Sequence, residues 1–118
     1  MRLTVSTLRW TVIFSEIDNT LCCSFPGRLD EYACFAFEQE LLSRTAEFKN
    51  RHEDAKIIFD LDGVVFASSA FLRICLIQLK TFGTLNFTIT NVAGGIYEVF
   101  YVSGFTEIMN VVPLSKTA

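Results

Sequence analysis

The stretch Lys56–Ser69, KIIFDLDGVVFASS, limits the possible folds of this chain more than any other. Its apolar opening, KIIFDL, has the length and β-branched content of a buried strand. Asp62-Gly63 turns or bulges that strand before VVF, and Ser68 and Ser69 open a helix. Upstream, from Glu31 to about Arg51, Cys34, Phe37, Leu41, Thr45 and Phe48 recur at three- and four-residue intervals. Glu38, Glu40, Arg44 and Lys49 are left to face water. Downstream, SAFLRICLIQLKT is apolar nearly all round, as in a helix packed on more than one side. A buried strand between two such helices points to a sheet with helices packed on it.

The flanks extend this pattern. RWTVIF and TLCCSF, separated by SEIDN, read as an N-terminal antiparallel hairpin turning at Asp18-Asn19. Pro26 and Gly27 then punctuate the chain, and Asp30 stands where a helix N-cap belongs. Gly83 suits the left-handed position after the second helix. LNFTITN alternates as a strand does. GGIYEVFYVSG suggests a third helix, with Ile96, Val99 and Phe100 on one face and Gly104 as its stop. FTEIMNVVP supplies a turn and a last edge strand. The expectation is one α/β domain over residues 1–118, with a mixed sheet of about four to six strands flanked by helices.

Composition narrows the function. With 51% apolar and 19% charged residues the 118-residue chain is a folded one, large enough for a single core. A formal charge of -3 and scattered basic residues argue against nucleic acid as a ligand. The four cysteines form no CxxC pair and the only histidine is His52, so no metal or cofactor site is expected. Cys22 and Cys23, adjacent on a strand, point to opposite faces. The apolar N-terminus is broken by Arg9 and lacks a cleavage site, and no window is long enough to span a membrane. A cytoplasmic protein without direct membrane insertion is expected.

DLDG resembles the first motif of haloacid dehalogenase-type phosphatases, in which the first aspartate is the nucleophile and both help to bind magnesium. Asp60 and Asp62 would fill these roles, and Thr90 imitates the family's second motif. No aspartate follows Asp62, however, and the later lysines are Lys80, inside an apolar helix, and Lys116, in the tail. Magnesium requires a near-octahedral set of hard oxygen ligands. A phosphatase using Asp60 is therefore the remote alternative, and no catalytic residue is assigned.

Three blocks, in order, carry a resemblance that spans about Arg9 to Val112. GRLD (27–30), IIFDLDGVVFASSAF and LNFTITNVAGGIYEVFYVSGFTEIMNV are similar to the turn, strand–turn–helix and closing segments of STAS domains. That family includes the bacterial anti-sigma factor antagonists. The resemblance implies a STAS-like mixed sheet and a non-enzymatic activity in transcription regulation. The implied partner is an anti-sigma factor that is also a serine kinase, bound by the unphosphorylated domain and released when the domain is phosphorylated.

The resemblance places the phosphoacceptor at Ser68, the first serine of the family's aspartate-serine-serine-glycine motif. Here Ala67 replaces the aspartate and Ala70 the glycine. It also implies partner contacts at Arg28, Asp30, Ala67, Ser69, Ala70 and Phe71. Two readings of Ser68 stay open, a phosphoacceptor and an ordinary N-cap. Asp30 and Phe71 likewise carry structural readings, as a helix cap and a core residue. Asp60 reads as a strand-end acceptor of turn hydrogen bonds. The alternative within the fold is a STAS scaffold subunit of a lipid-transport ATPase or stress-signalling complex, working without phosphorylation.

Overall fold

The computed structural model describes residues 2–5 and 12–115. In chain order the elements are strands β1 (Arg2–Val5), β2 (Ile13–Ile17), β3 (Thr20–Ser24) and β4 (Arg28–Leu29), helix α1 (Glu31–Arg51), strands β5 (Lys56–Asp60) and β6 (Phe66–Ala67), helix α2 (Ser69–Phe82), strand β7 (Phe87–Val92), helix α3 (Gly94–Val102) and strand β8 (Asn110–Pro113). A 3-10 turn, Phe105–Glu107, links α3 to β8. Six strands form one mixed sheet in the order β1-β2-β3-β5-β7-β8, antiparallel as far as β3 and parallel beyond it.

The expected hairpin is β2–β3, and it turns at Asp18-Asn19, with Asp18 at φ +54°. Ser15, Glu16 and Ile17, read from the sequence as part of the turn, are instead paired in β2 opposite Cys22, Leu21 and Thr20. A two-residue loop suffices for a hairpin, so the strand runs right up to it. The early half of the expected first strand, before Val12, lies outside the described residues. A strand at Arg2–Val5 was not anticipated; it forms the sheet's edge beside β2.

The core lies between α1, α2 and one face of the sheet. Phe14, Cys23, Phe59 and Ile89 lie in one register row across β2, β3, β5 and β7, and all four are buried. Helix α1 meets them with the stripe its spacing predicts: Cys34, Phe37, Leu41, Thr45 and Phe48, joined by Ala33. Helix α2 buries Phe71, Ile74, Cys75, Gln78 and Phe82. At the centre, Phe25 meets the rings of Phe37, Phe59 and Phe71 at 5.6, 4.9 and 5.2 Å, and Phe59 meets Phe87 edge-on at 5.0 Å. Tilted and edge-on pairs at these spacings add to what area burial alone supplies.

Cys22 is half-buried on the sheet face opposite the buried Cys23, as strand geometry requires. Between the helices, Gln78 Nε2 donates to Thr45 Oγ1 at 3.1 Å while Gln78 Oε1 is buried without a partner. Gly83 follows α2 at φ +82° but ψ 164°, so it is extended in the mirror-image sense rather than left-handed helical, and its N–H closes on Leu79 O. Gly104 does take the left-handed conformation, at φ +79°, ψ 5°.

Two phenylalanines of α1 and α2 calibrate this packing. Phe71 is fully buried and Phe35 is 87% exposed. Phe71→Ala is expected to lower the unfolding free energy by about 3–5 kcal/mol, and Phe35→Ala to change it by less than about 0.5 kcal/mol. Urea unfolding followed by circular dichroism measures both, and equal losses would show that the assigned core is wrong.

Candidate functional site

The starts of α1 and α2 are brought side by side by a second, two-stranded sheet. Strands β4 and β6 pair in parallel, Arg28 with Phe66 and Leu29 with Ala67. Val65 N donates to Gly27 O at 2.7 Å and Ser68 N to Leu29 O at 2.9 Å. GRLD, read from the sequence as a turn, is therefore a short strand that ends in a cap. Asp30 Oδ1 accepts from Ala33 N at 2.9 Å, the N-cap bond expected of it.

The turn feeding β6 is built by Asp60. Its Oδ1 accepts from Asp62 N at 3.0 Å and from Asn91 Nδ2 at 2.9 Å, linking the end of β5 to β7. Asn91 reaches it from a left-handed conformation, φ +55°, at an irregularity in the β7–β8 register. Gly63, at φ +83°, completes the turn. Asp60 thus has the turn-acceptor role that short acidic side chains fill at strand ends. Among the described residues, no three His, Cys, Asp or Glu side chains gather to hold a metal ion.

Ser68 occupies the N-cap position of α2 with extended backbone, φ -87° and ψ 171°, but its side chain makes no capping bond. Its Oγ is buried, makes no hydrogen bond of ordinary geometry, and has the Cys34 thiol as a weakly interacting neighbour. It lies alongside the thiol of Cys34, which points weakly at Leu29 O, 3.8 Å away. The ordinary N-cap reading of Ser68 therefore fails for its side chain: the hydroxyl is turned into the core. Burial pushes the Cys34 thiol up to about 11, and the neighbouring Ser68 hydroxyl offsets part of that rise. Burial also raises Cys23 and Cys75 well above the usual thiol value.

The remaining sequence-derived residues divide between surface and core. Arg28 is exposed, with its guanidinium 4.7 Å from the centre of the Phe66 ring. Ser69 is exposed at the first position of α2, while Ala67 and Ala70 are half-buried against the core. Phe71 is wholly inside and takes the core role of its two readings.

Three aromatic residues of this rim, Tyr32, Phe35 and Phe66, were missed from the sequence. Tyr32 and Phe35, three apart on the first turns of α1, are 82% and 87% exposed. The available signal was their position off the Cys34–Phe37–Leu41 stripe, where a large aromatic has no core to enter. Phe35 lines a shallow groove of about 900 Å³ along α1 with Glu38, Leu42 and, from α2, Arg73. Arg73 donates to Glu38 across the groove. Phe66 and Val65 extend the apolar surface beside β4.

Comparison with known proteins gives the fold. No family model matches the sequence, and no curated protein sequence matches it. Among solved structures, an anti-sigma-factor antagonist (STAS) domain protein from Planctomyces limnophilus superposes with a TM-score of 0.67. It is 21% identical over 88% of this chain and 91% of that one. The anti-sigma factor antagonist SpoIIAA in its unphosphorylated form also superposes at 0.67, with 16% identity over 85% and 86% of the two chains. The architecture is the STAS fold, a mixed sheet flanked by helices with an N-terminal hairpin. Among the described residues no helix is long and apolar enough to cross a membrane.

Asp60 and the cysteines give two checks. Asp60→Ala removes an acceptor shared by two donors and is expected to cost about 1–3 kcal/mol, whereas Asp60→Asn retains a carbonyl oxygen there and should cost about 1 kcal/mol or less. Denaturant titration of the two variants compares them, and equal losses would refute the turn-acceptor role. Because their raised pKa values keep Cys23, Cys34 and Cys75 as protonated, buried thiols at pH 7.5, maleimide should label them only in urea. Mass spectrometry of the native and unfolded chains reads this directly.

Proposed function

We propose that this STAS-fold chain is a non-enzymatic protein-binding domain of the anti-sigma factor antagonist type, a single domain over residues 1–118. It works by partner switching in a bacterial transcription-regulatory cascade. The supporting observation is the rim at the paired helix starts, where Tyr32, Phe35, Val65 and Phe66 are exposed around Arg28 and the beginning of α2. Exposed aromatics beside an arginine have the composition of a protein-binding hot spot. The same fold serves in two anti-sigma factor antagonists.

In this reading the unphosphorylated domain docks an anti-sigma factor/serine kinase through Arg28, Ser69 and the neighbouring aromatics. Asp30, Ala67 and Ala70 shape the surface from behind. Phosphorylation at the start of α2 then breaks the complex, because a group with nearly two negative charges inside an interface must be desolvated. The resemblance assigns that phosphate to Ser68, whose hydroxyl has to swing out of the core to receive it.

A native pull-down from the source cells, with mass-spectrometric identification, tests the partner class. The expected capture is an anti-sigma factor of the serine-kinase type. Phe35→Asp, on an exposed position that leaves the fold intact, should weaken that capture by roughly tenfold or more. Recovery of a membrane ATPase subunit instead would establish the scaffold alternative, and undiminished binding by Phe35→Asp would move the docking surface elsewhere.

A further inference from the structure

Among the described residues, the helices cover one face of the sheet and none covers the other. The crossovers through α1, α2 and α3 all advance the same way, from β3 to β5 to β7 to β8. Right-handed connections put all three helices on one side, the side of Phe59 and Ile89. On the opposite face Ile13 and Ile17 are 39% and 52% exposed, and Cys22 and Ile58 are half-buried near its centre. Of the residues that β2, β3, β5, β7 and β8 turn to that side, only Lys56 and Asp60 are charged.

The register arranges these residues in three rows. Cys22 and Ile58 are neighbours in the middle row. Ile13, Ser24 and Asp60 form the row on one side of it, and Ile17, Thr20 and Lys56 the row on the other. A copy of the sheet laid face to face with its strands reversed keeps the middle row in place and exchanges the outer two. Isoleucine then meets isoleucine, hydroxyl meets hydroxyl, and lysine meets aspartate. The two turn bonds of Asp60 both use Oδ1. Its carboxylate also stands near enough to Cys22 to add to the rise that burial gives that thiol.

We propose that this chain forms a twofold dimer through the uncovered face, sheet against sheet, with β5 antiparallel to the β5 of a second copy. The twofold axis lies between the sheets and crosses the strands along the middle row, so the contact is isologous and closed. Each Lys56 meets Asp60 of the second copy, which makes two complementary pairs per dimer. Six strands about 4.8 Å apart, with about five residues each at roughly 3.3 Å, present a flat footprint of roughly 400–500 Å² per chain. An interface of that size is small, so the dimer is reversible and depends on concentration. It leaves α1 and α2 on the outside, and the inference is independent of the partner-switch reading.

Sedimentation equilibrium from about 5 to 300 µM, the range a small interface calls for, is expected to show the average mass rising from one chain towards two. Lys56→Glu sets carboxylate against carboxylate in both pairs and should raise the dimer Kd by about tenfold or more. Ile17→Lys, at an exposed position, should do the same, with circular dichroism showing that both variants keep the fold. One further reading needs no variant: maleimide labelling of Cys22 in the parent chain should slow several-fold over the same range, because the dimer covers its thiol. A chain that stays monomeric at the highest concentration overturns the proposal. A dimer that Lys56→Glu leaves intact, with Cys22 labelled at an unchanged rate, overturns it as well and puts the contact on another surface.

Discussion

The site depends on the two-residue parallel pairing of β4 with β6. Leu29, fully buried, anchors one strand in the core, and the bonds from Val65 N to Gly27 O and from Ser68 N to Leu29 O fasten the other to it. Asp30 then caps α1 immediately after β4, and α2 begins immediately after β6. Two helices separated by a strand crossover are thus forced to begin within one small surface. Each such hydrogen bond contributes only about 1 kcal/mol net, so the rim can open without unfolding the core beneath it. A hydroxyl turned inward at Ser68 and an ion pair spanning the helices are features that modest local motion can rearrange.

The fold was legible wherever burial imposes a period. The α1 stripe from Cys34 to Phe48, the strand at Ile57 and Phe59, and the Asp18-Asn19 turn follow from side-chain spacing and turn chemistry. Local chemistry also placed the Asp30 cap and the acceptor role of Asp60. The less legible elements depend on partners distant in sequence. Arg28–Leu29 is a strand only because Phe66–Ala67 lies next to it, and Arg2–Val5 only because β2 offers an edge. Gly83 shows a finer limit: glycine marks positive φ, while ψ is settled by the path into β7.

Within the candidate site, residue type could not reveal orientation. A serine before a helix reads equally as cap or acceptor, and the Ser68 hydroxyl is neither capping nor exposed, since Cys34 and Leu29 enclose the space beside it. Phe71 and Phe35 are the same residue type near the starts of neighbouring helices. One meets Phe25 edge-on and the other stands in solvent, a difference set by helix phase relative to the sheet. Tyr32, Phe35 and the Glu38–Arg73 pair become a site only once α2 is laid beside α1.

Amide hydrogen exchange of the chain, free and in complex with the protein it captures, distinguishes this rim from a second exposed apolar surface. That surface lies at the far edge, where Tyr101, Val102 and Ile108 are also exposed. Added protection confined to residues 27–38 and 64–73 is the result predicted for docking on the paired helix starts. Protection centred on α3 and β8, with the β4–β6 segment exchanging as in the free chain, would contradict it.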